Sequence, residues 1–378
     1  MRMRFLLFCA LLPAALSVRA VDLSFPGRDP SLAWDGQGRL HAVWVEESGG
    51  TNRVMYRRLD DPAAKPVPVT PPGVGTSAHG EVPPILEALA DGTLVVAYPV
   101  PIPGKWQNEV RIQRSTDGGA RWSPPAPLEA GGERGSHNEL AATVTPGGTL
   151  VLAWLDKRGE DRGLRVARSR DGVRFEADRT LDAKTCECCG NDVLAGNRGE
   201  VWIAFRDASE GVRDFAVAAS RDEGATFAAP RPLSRDGWKV EGCPHTGARL
   251  ALGKTGGLWA AWFTGAEPGI YVAHSKDGVS FGPRQRVAAP GEAMPAVAHP
   301  EIGALPDGRI AVLYEAVRKD GTRDVEVRFR PENGPWSAPK VLASGAVYPR
   351  LAVREDQAVV AFTRKQGNGT EVAVRVIP

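Results

Sequence analysis

Charge of either sign is not in excess in this sequence: 47 lysines and arginines stand against 45 aspartates and glutamates. Without basic blocks it has no electrostatic footprint for nucleic acid or an anionic membrane surface. Cysteine is scarce, five in 378 residues, and so is histidine, with six. Apolar runs able to span a bilayer are missing, since the run from Phe5 to Leu16 falls short of the ~20 residues required. Beyond that run there is no sustained 3.6-residue apolar periodicity, which argues against a helical domain.

The short apolar run follows Arg2 and Arg4 and leads to the small residues Val18 and Ala20. That order of charged, apolar and small residues predicts a secretory signal over residues 1–20, cleaved after Ala20. Cys9 leaves with it, as do Arg2, Arg4 and Arg19, so the mature chain has 44 basic and 45 acidic residues, about −1. The expectation is a bacterial periplasmic or secreted protein, soluble, not inserted in the membrane and monomeric, with residues 21–378 forming one domain. Four cysteines remain in it: Cys186, Cys188, Cys189 and Cys243.

What the sequence has in abundance is a repeat. A glycine turn followed by an alternating apolar strand ending in an aromatic reads GRLHAVW to Trp44 and GTLVVAY to Tyr98. It returns as GTLVLAW to Trp154, GEVWIAF to Phe205, GGLWAAW to Trp262 and GRIAVLY to Tyr314. A seventh copy, DQAVVAF, ends at Phe362. The aromatics are 48 to 57 residues apart, a length that suits one four-stranded blade. Seven copies predict an all-β, seven-bladed β-propeller with antiparallel blades, six blades being the alternative. The last copy stops three strands on, so VDLSF (Val21 to Phe25) is expected to supply its outer strand and close the ring.

A second motif recurs with the first. STDGGARW (Ser115 to Trp122) and SRDEGATF (Ser220 to Phe227) share the pattern S-x-D-x-G-x-x-W/F. SRDGVRF from Ser169 and SKDGVSF from Ser275 are one residue shorter. In such a turn the aspartate accepts backbone N–H groups, glycine takes the left-handed angles and the aromatic packs beneath. These motifs resemble the Asp boxes of the sialidase-like (BNR repeat) propeller superfamily, over essentially the whole mature chain. The resemblance implies the fold strongly and the activity weakly, because Asp boxes belong to outer hairpins away from the channel.

The start of each innermost strand is expected at the central channel, and the rare residues gather there. HGE (His79 to Glu81), HNE (His137 to Glu139) and HPE (His299 to Glu301) occur in blades 2, 3 and 6. Blade 4 has Cys186, Cys188 and Cys189, and blade 5 has Cys243 and His245. Counted back from the aligned aromatic, His137, Cys188 and His245 each stand 17 residues away, and His79, Cys186 and Cys243 each 19. His299 stands 15 away, so period-2 alternation predicts that all share one face. His41 and His274 fall elsewhere and read as structural.

Thiolate and imidazole on one cavity suit a transition metal, copper ahead of zinc. The expected ligands are Cys188, Cys243 and His245, then Cys186, Cys189 and His137, with His79 and His299 completing a wider cavity. Exported cysteines also oxidise, so Cys186–Cys189 and Cys188–Cys243 disulfides, or a redox pair, stand beside the metal. A periplasmic protein or a glycan is the further partner considered. The sialidase resemblance would imply an arginine trio, a tyrosine activated by a glutamate and an acid/base aspartate. Its candidates are Arg28, Asp29, Arg249 or Arg206, Glu301, Tyr348 and Arg350, although the family's early arginine motif is absent and SFPGRDP only echoes it. Nitrous oxide reductase is similar in carrying copper within a seven-bladed propeller, but this chain lacks its additional copper domain, so its activity is not implied.

Overall fold

The computed structural model describes residues 22–104, 107–128, 136–158, 163–289, 298–331 and 333–377. The expected signal, residues 1–20, lies outside them, as do Cys9 and Val21. Seven antiparallel sheets of four strands each make seven blades, and within each blade strands adjacent in sequence are adjacent in the sheet. The innermost strands are Arg28–Trp34, Ile85–Ala88, Ser136–Val144, Asp192–Ala195, Arg249–Leu252, Ala298–Ala304 and Ala346–Val353. The count is therefore seven blades rather than six. The only helical turn among the described residues is a 3-10 turn at Ser209–Gly211, and no helix there is long and apolar enough to cross a membrane.

The ring is closed by the chain's two ends. Leu23–Pro26 pairs antiparallel with Gly369–Val376, from Leu23 opposite Val374 to Pro26 opposite Glu371. Blade 7 thus takes its fourth strand from the N-terminal segment, as the three-strand repeat required.

Among the described residues the core is divided between neighbouring blades. Seven apolar clusters each join one blade to the next, for example Leu89, Val95 and Ile112 of blade 2 against Leu140, Leu152 and Trp154 of blade 3. The repeated aromatic of every blade faces the blade before it, and all seven are at most 2% exposed. Sheet-on-sheet packing of this kind buries both faces of the second strand, so the repeats are almost continuously buried, as in Leu94–Pro101 and Val201–Arg206, and do not alternate as expected.

The Asp boxes join the third and fourth strands of blades 2 to 5. Asp117 accepts the Arg121 N–H at 2.9 Å, and Asp277 accepts those of Val279 and Ser280 at 2.9 and 2.7 Å. Gly119 of the blade 2 box has φ +90 and lies so near blade 1 that a Cβ there would meet the Tyr56 ring at 1.9 Å. Each box glycine in blades 3, 4 and 5 leans on the preceding blade in the same way, Gly172 on Val95, Gly224 on Val151 and Gly278 on Trp202. His41 is buried between the Tyr56 hydroxyl at 2.7 Å and Asp35 at 3.1 Å, and His274 packs on Trp259, so both are structural.

One local feature breaks the alternation expected along the innermost strands. Blades 1, 3, 6 and 7 each carry a one-residue bulge there, between Arg28 and Ser31, Asn138 and Ala141, Ala298 and Glu301, and Val347 and Arg350. Its first inserted residue is Asp29, Glu139, His299 or Tyr348, at φ between +50 and +56. Such a bulge swings one side chain out of the two-residue rhythm. Non-glycine residues held at these angles are strained, and such strain concentrates where a side chain must be aimed. His245, in the loop before Arg249, has φ +53 as well.

Ring closure gives a test. Phe25 is 7% exposed and lies 4.5 Å from the Trp44 ring, centroid to centroid, across the blade 7–blade 1 joint. Phe25→Ala should cost about 3–5 kcal/mol, read from the shift of the urea unfolding midpoint; an unchanged midpoint would mean that the seam does not hold the ring.

Candidate metal centre and the neighbouring cleft

Two loops bring the thiols together. The loop ahead of Asp192–Ala195 carries Cys186, Cys188 and Cys189, and the loop ahead of Arg249–Leu252 carries Cys243 and His245. They approach backbone to backbone: a Cβ on Gly247 would stand 2.5 Å from the Gly190 carbonyl oxygen. Side chains stitch the same joint. Asp192 accepts the Leu250 N–H at 2.7 Å, and Arg249 donates to the Asn191 carbonyl at 3.0 Å.

The donor atoms fall into two groups. The sulfurs of Cys186, Cys188 and Cys189 lie within 4.8 Å of one another, and so do Cys188 Sγ, Cys243 Sγ and a ring nitrogen of His245. Among the described residues no disulfide joins the four cysteines. Cys186 and Cys189 are buried with their sulfurs 2.9 Å apart, Cys188 is half-buried, and Cys243 and His245 are exposed.

The charge around the thiols is positive. Arg213 donates to Cys186 Sγ at 3.1 Å. Arg206 is buried nearby, its guanidinium 3.9 Å from the Phe215 centroid and 4.8 Å from that of Trp238, with hydrogen bonds to the Arg213, Thr246 and Phe263 carbonyls. Hydrogen bonds from Cys188 and Cys189, assisted by Arg213, hold the Cys186 thiol far below the usual range. The Cys188 thiol is pushed up, chiefly by the hydrogen bond it gives to Cys186, and that of Cys189 by burial.

The remaining histidines do not join either group. His137 Nδ1 faces Asp156 at 2.9 Å, beside Arg158 and edge-on to Trp154. His299 sets Nδ1 against Glu315 at 3.0 Å, and Nε2 donates to the His245 carbonyl at 3.1 Å. His79, 53% exposed at its side chain, lies 3.6 Å from Glu81. The equal-face expectation fails because His137 precedes its bulge whereas His299 occupies one.

His299 instead borders a second site. Its ring is 4.8 Å from that of Tyr348, whose hydroxyl donates to Glu81 at 3.0 Å. Burial and the charges of Glu81 and Glu315 push the Tyr348 phenol up, so it is a donor here. Tyr348, Glu81, His79, Arg28 and Asp29 line a cleft of about 790 Å³. Arg28 is paired with Asp29, whose carboxyl is raised by burial despite that pairing. Arg249 and Arg350 converge on one oxygen of Glu301 at 2.9 and 3.1 Å. The arginines thus do not form an open trio: each of these three has an internal carboxylate, and Arg206 sits behind the thiols.

Sequence reading missed two groups. Arg213 carries no motif, and only the fold sets it on Cys186. Glu87 and Asp192, with Arg249, Arg350 and Glu301, line a channel cavity of about 220 Å³. Burial pushes Glu87 up to about 8, with Asp192 adding to it, and Asp192 up to about 6. Glu87 is half-buried in the channel wall. Its proton is held more tightly folded than unfolded, so stability falls as pH rises from about 4.5 through about 8. Glu87→Gln should therefore stabilise the protein by on the order of 1–3 kcal/mol at pH 9 and leave it nearly unchanged at pH 5, as measured by urea unfolding. Equal gains at both pH values would show that Glu87 is not held protonated.

Residues 38–239 match the BNR repeat-like domain. No curated protein matches the chain in sequence. Among solved structures, a polysaccharide lyase superposes with a TM-score of 0.58 at 11% identity, over 93% of this chain and 90% of that one. A Hadza microbial sialidase gives 0.53 at 16% identity over 87% and 74%, and the Penicillium chrysogenum alpha-L-arabinanase 0.51 at 14% over 95% and 97%. At such identities the likeness is one of fold. The family match spans more than half of the sequence, with the Asp-box turns of blades 2, 3 and 4 inside it, and the chain belongs to the BNR repeat-like domain family.

Proposed function

We propose that this is an exported metal-handling propeller in which residues 21–378 form one monomeric domain. Its Cys/His site takes a soft cation, copper(I) ahead of zinc, for sequestration or delivery to a periplasmic partner. The observation that carries this reading is the convergence of Cys186, Cys188, Cys189, Cys243 and His245 from two adjacent blades into two overlapping three-donor groups that share Cys188. Thiolates favour copper(I), and the guanidinium beside Cys186 offsets the negative charge of a thiolate-rich complex, a need that is smaller for a divalent ion. His79, His137 and His299 are not required as ligands in this reading.

A second reading rests on the Tyr348–Glu81 pair. A tyrosine hydrogen-bonded to a carboxylate, with Arg28 and Asp29 in the same cleft, supports glycoside hydrolysis through Tyr348 as nucleophile and Asp29 as acid/base, or the binding of a glycan. The fold relatives named as sialidase, arabinanase and lyase agree with a carbohydrate-facing cleft. The internal pairing of Arg249 and Arg350 with Glu301 weighs against a sialoside.

Two experiments separate these readings. Protein recovered from the periplasm without chelators should contain copper, with free thiols appearing on its removal, and Cys188→Ser should lose the metal. No bound metal together with no free thiols would leave the disulfide reading standing instead. Hydrolysis of fluorogenic glycosides, lowered about 10²–10⁴-fold by Tyr348→Phe, would establish the second reading; identical rates in the variant would exclude Tyr348 as its nucleophile.

A further inference from the structure

Five donors are more than one ion can use here, and their arrangement divides them. Two donors to the same ion with metal–sulfur bonds of about 2.3 Å stand no more than roughly 4.6 Å apart. Cys186 and Cys189 lie within 4.8 Å of Cys188, at the limit of that reach, and so do Cys243 and His245. Among the described residues no group joins Cys186 or Cys189 to Cys243 or His245, so Cys188 alone belongs to both. A thiolate sulfur has lone pairs enough to bind two cations at once.

Resting on the metal-binding reading above, we propose that the site takes two copper(I) ions per chain, bridged by the Cys188 thiolate. The inner position is Cys186, Cys188 and Cys189; the outer is Cys188, Cys243 and His245. Charge favours a monovalent pair. Four thiolates and two monovalent ions leave two negative charges, and two guanidiniums, Arg213 on Cys186 and Arg206 beside Cys186 and Cys189, answer them. Two divalent ions would leave a neutral cluster against two partly or fully buried cations, which costs solvation with no return.

Burial makes the two positions unequal. Cys186 and Cys189 are 0% exposed, whereas Cys243 and His245 are exposed and Cys243 borders a groove of about 480 Å³ lined also by Lys184, Glu187 and Arg213. An ion arriving from that groove meets Cys243, His245 and Cys188 first. It moves inward as bonds to Cys186 and Cys189 form and those to Cys243 and His245 break, with Cys188 retained throughout. The thiol protons go to solvent, and the ion keeps its oxidation state.

Anaerobic titration of the reduced chain with copper(I), read against a colorimetric copper(I) chelator, tests this. Two ions should bind per chain, and excess chelator should withdraw one at least tenfold faster than the other. Cys243→Ser, at an exposed position where folding tolerates the change, should retain one ion, the slow one. Cys186→Ser with Cys189→Ser should retain only the fast one, and circular dichroism would confirm that the blades remain. One ion in the unsubstituted chain, lost alike in every variant, would overturn the bridged pair while leaving metal binding intact. No binding by the fully reduced chain would overturn both.

Discussion

Flat apolar faces pressed blade against blade are what the rest of this molecule depends on. The seven clusters lie between sheets and none lies on the ring's axis. The axis is thereby relieved of any packing duty. Charged residues such as Glu87, Asp192, Arg249 and Arg350 can line the channel, and the loops and bulges at the start of the innermost strands can carry cysteine, histidine or tyrosine without disturbing the core. The cost of placing charge there is moderated by pairing, as when two arginines share one oxygen of Glu301.

The fold was legible because the packing demand is repeated. Every blade needs one large aromatic at the same place, so Trp44, Tyr98, Trp154 and their counterparts beat out the period, and the missing strand of the last copy pointed to the chain's start. The thiol site was partly legible: the cysteines and His245 are rare residues at blade-equivalent distances from those aromatics. Side-chain direction was not. A bulge of one residue resets the two-residue rhythm, and nothing in HNEL or AHPE announces it. Thus His137 turned to Asp156 and His299 to Glu315, although both were counted toward the same ring. Arg213 was invisible for another reason, since its partner is 27 positions away in a loop with no pattern of its own.

The thiol loops and the tyrosine cleft are neighbours at one mouth, joined by a single imidazole. His299 donates to the backbone carbonyl of His245 and lies tilted against the Tyr348 ring, with Glu315 fixed by Arg323 behind it. Both His245 and Tyr348 sit at left-handed backbone angles. The strain is held from both sides by that hydrogen-bonded bridge, so the aim of one side chain is bound up with the aim of the other.

The Asp-box glycines have a direction. In blades 2 to 5 the turn reaches back over the preceding blade, never forward. Any shorter run of blades would therefore end in two unlike surfaces, a projecting turn on one side and an uncovered floor on the other. Surfaces of that kind cannot pair with their own image; they can only join head to tail. A fragment of this chain would consequently tend to polymerise rather than dimerise, and closing the ring is what consumes both ends.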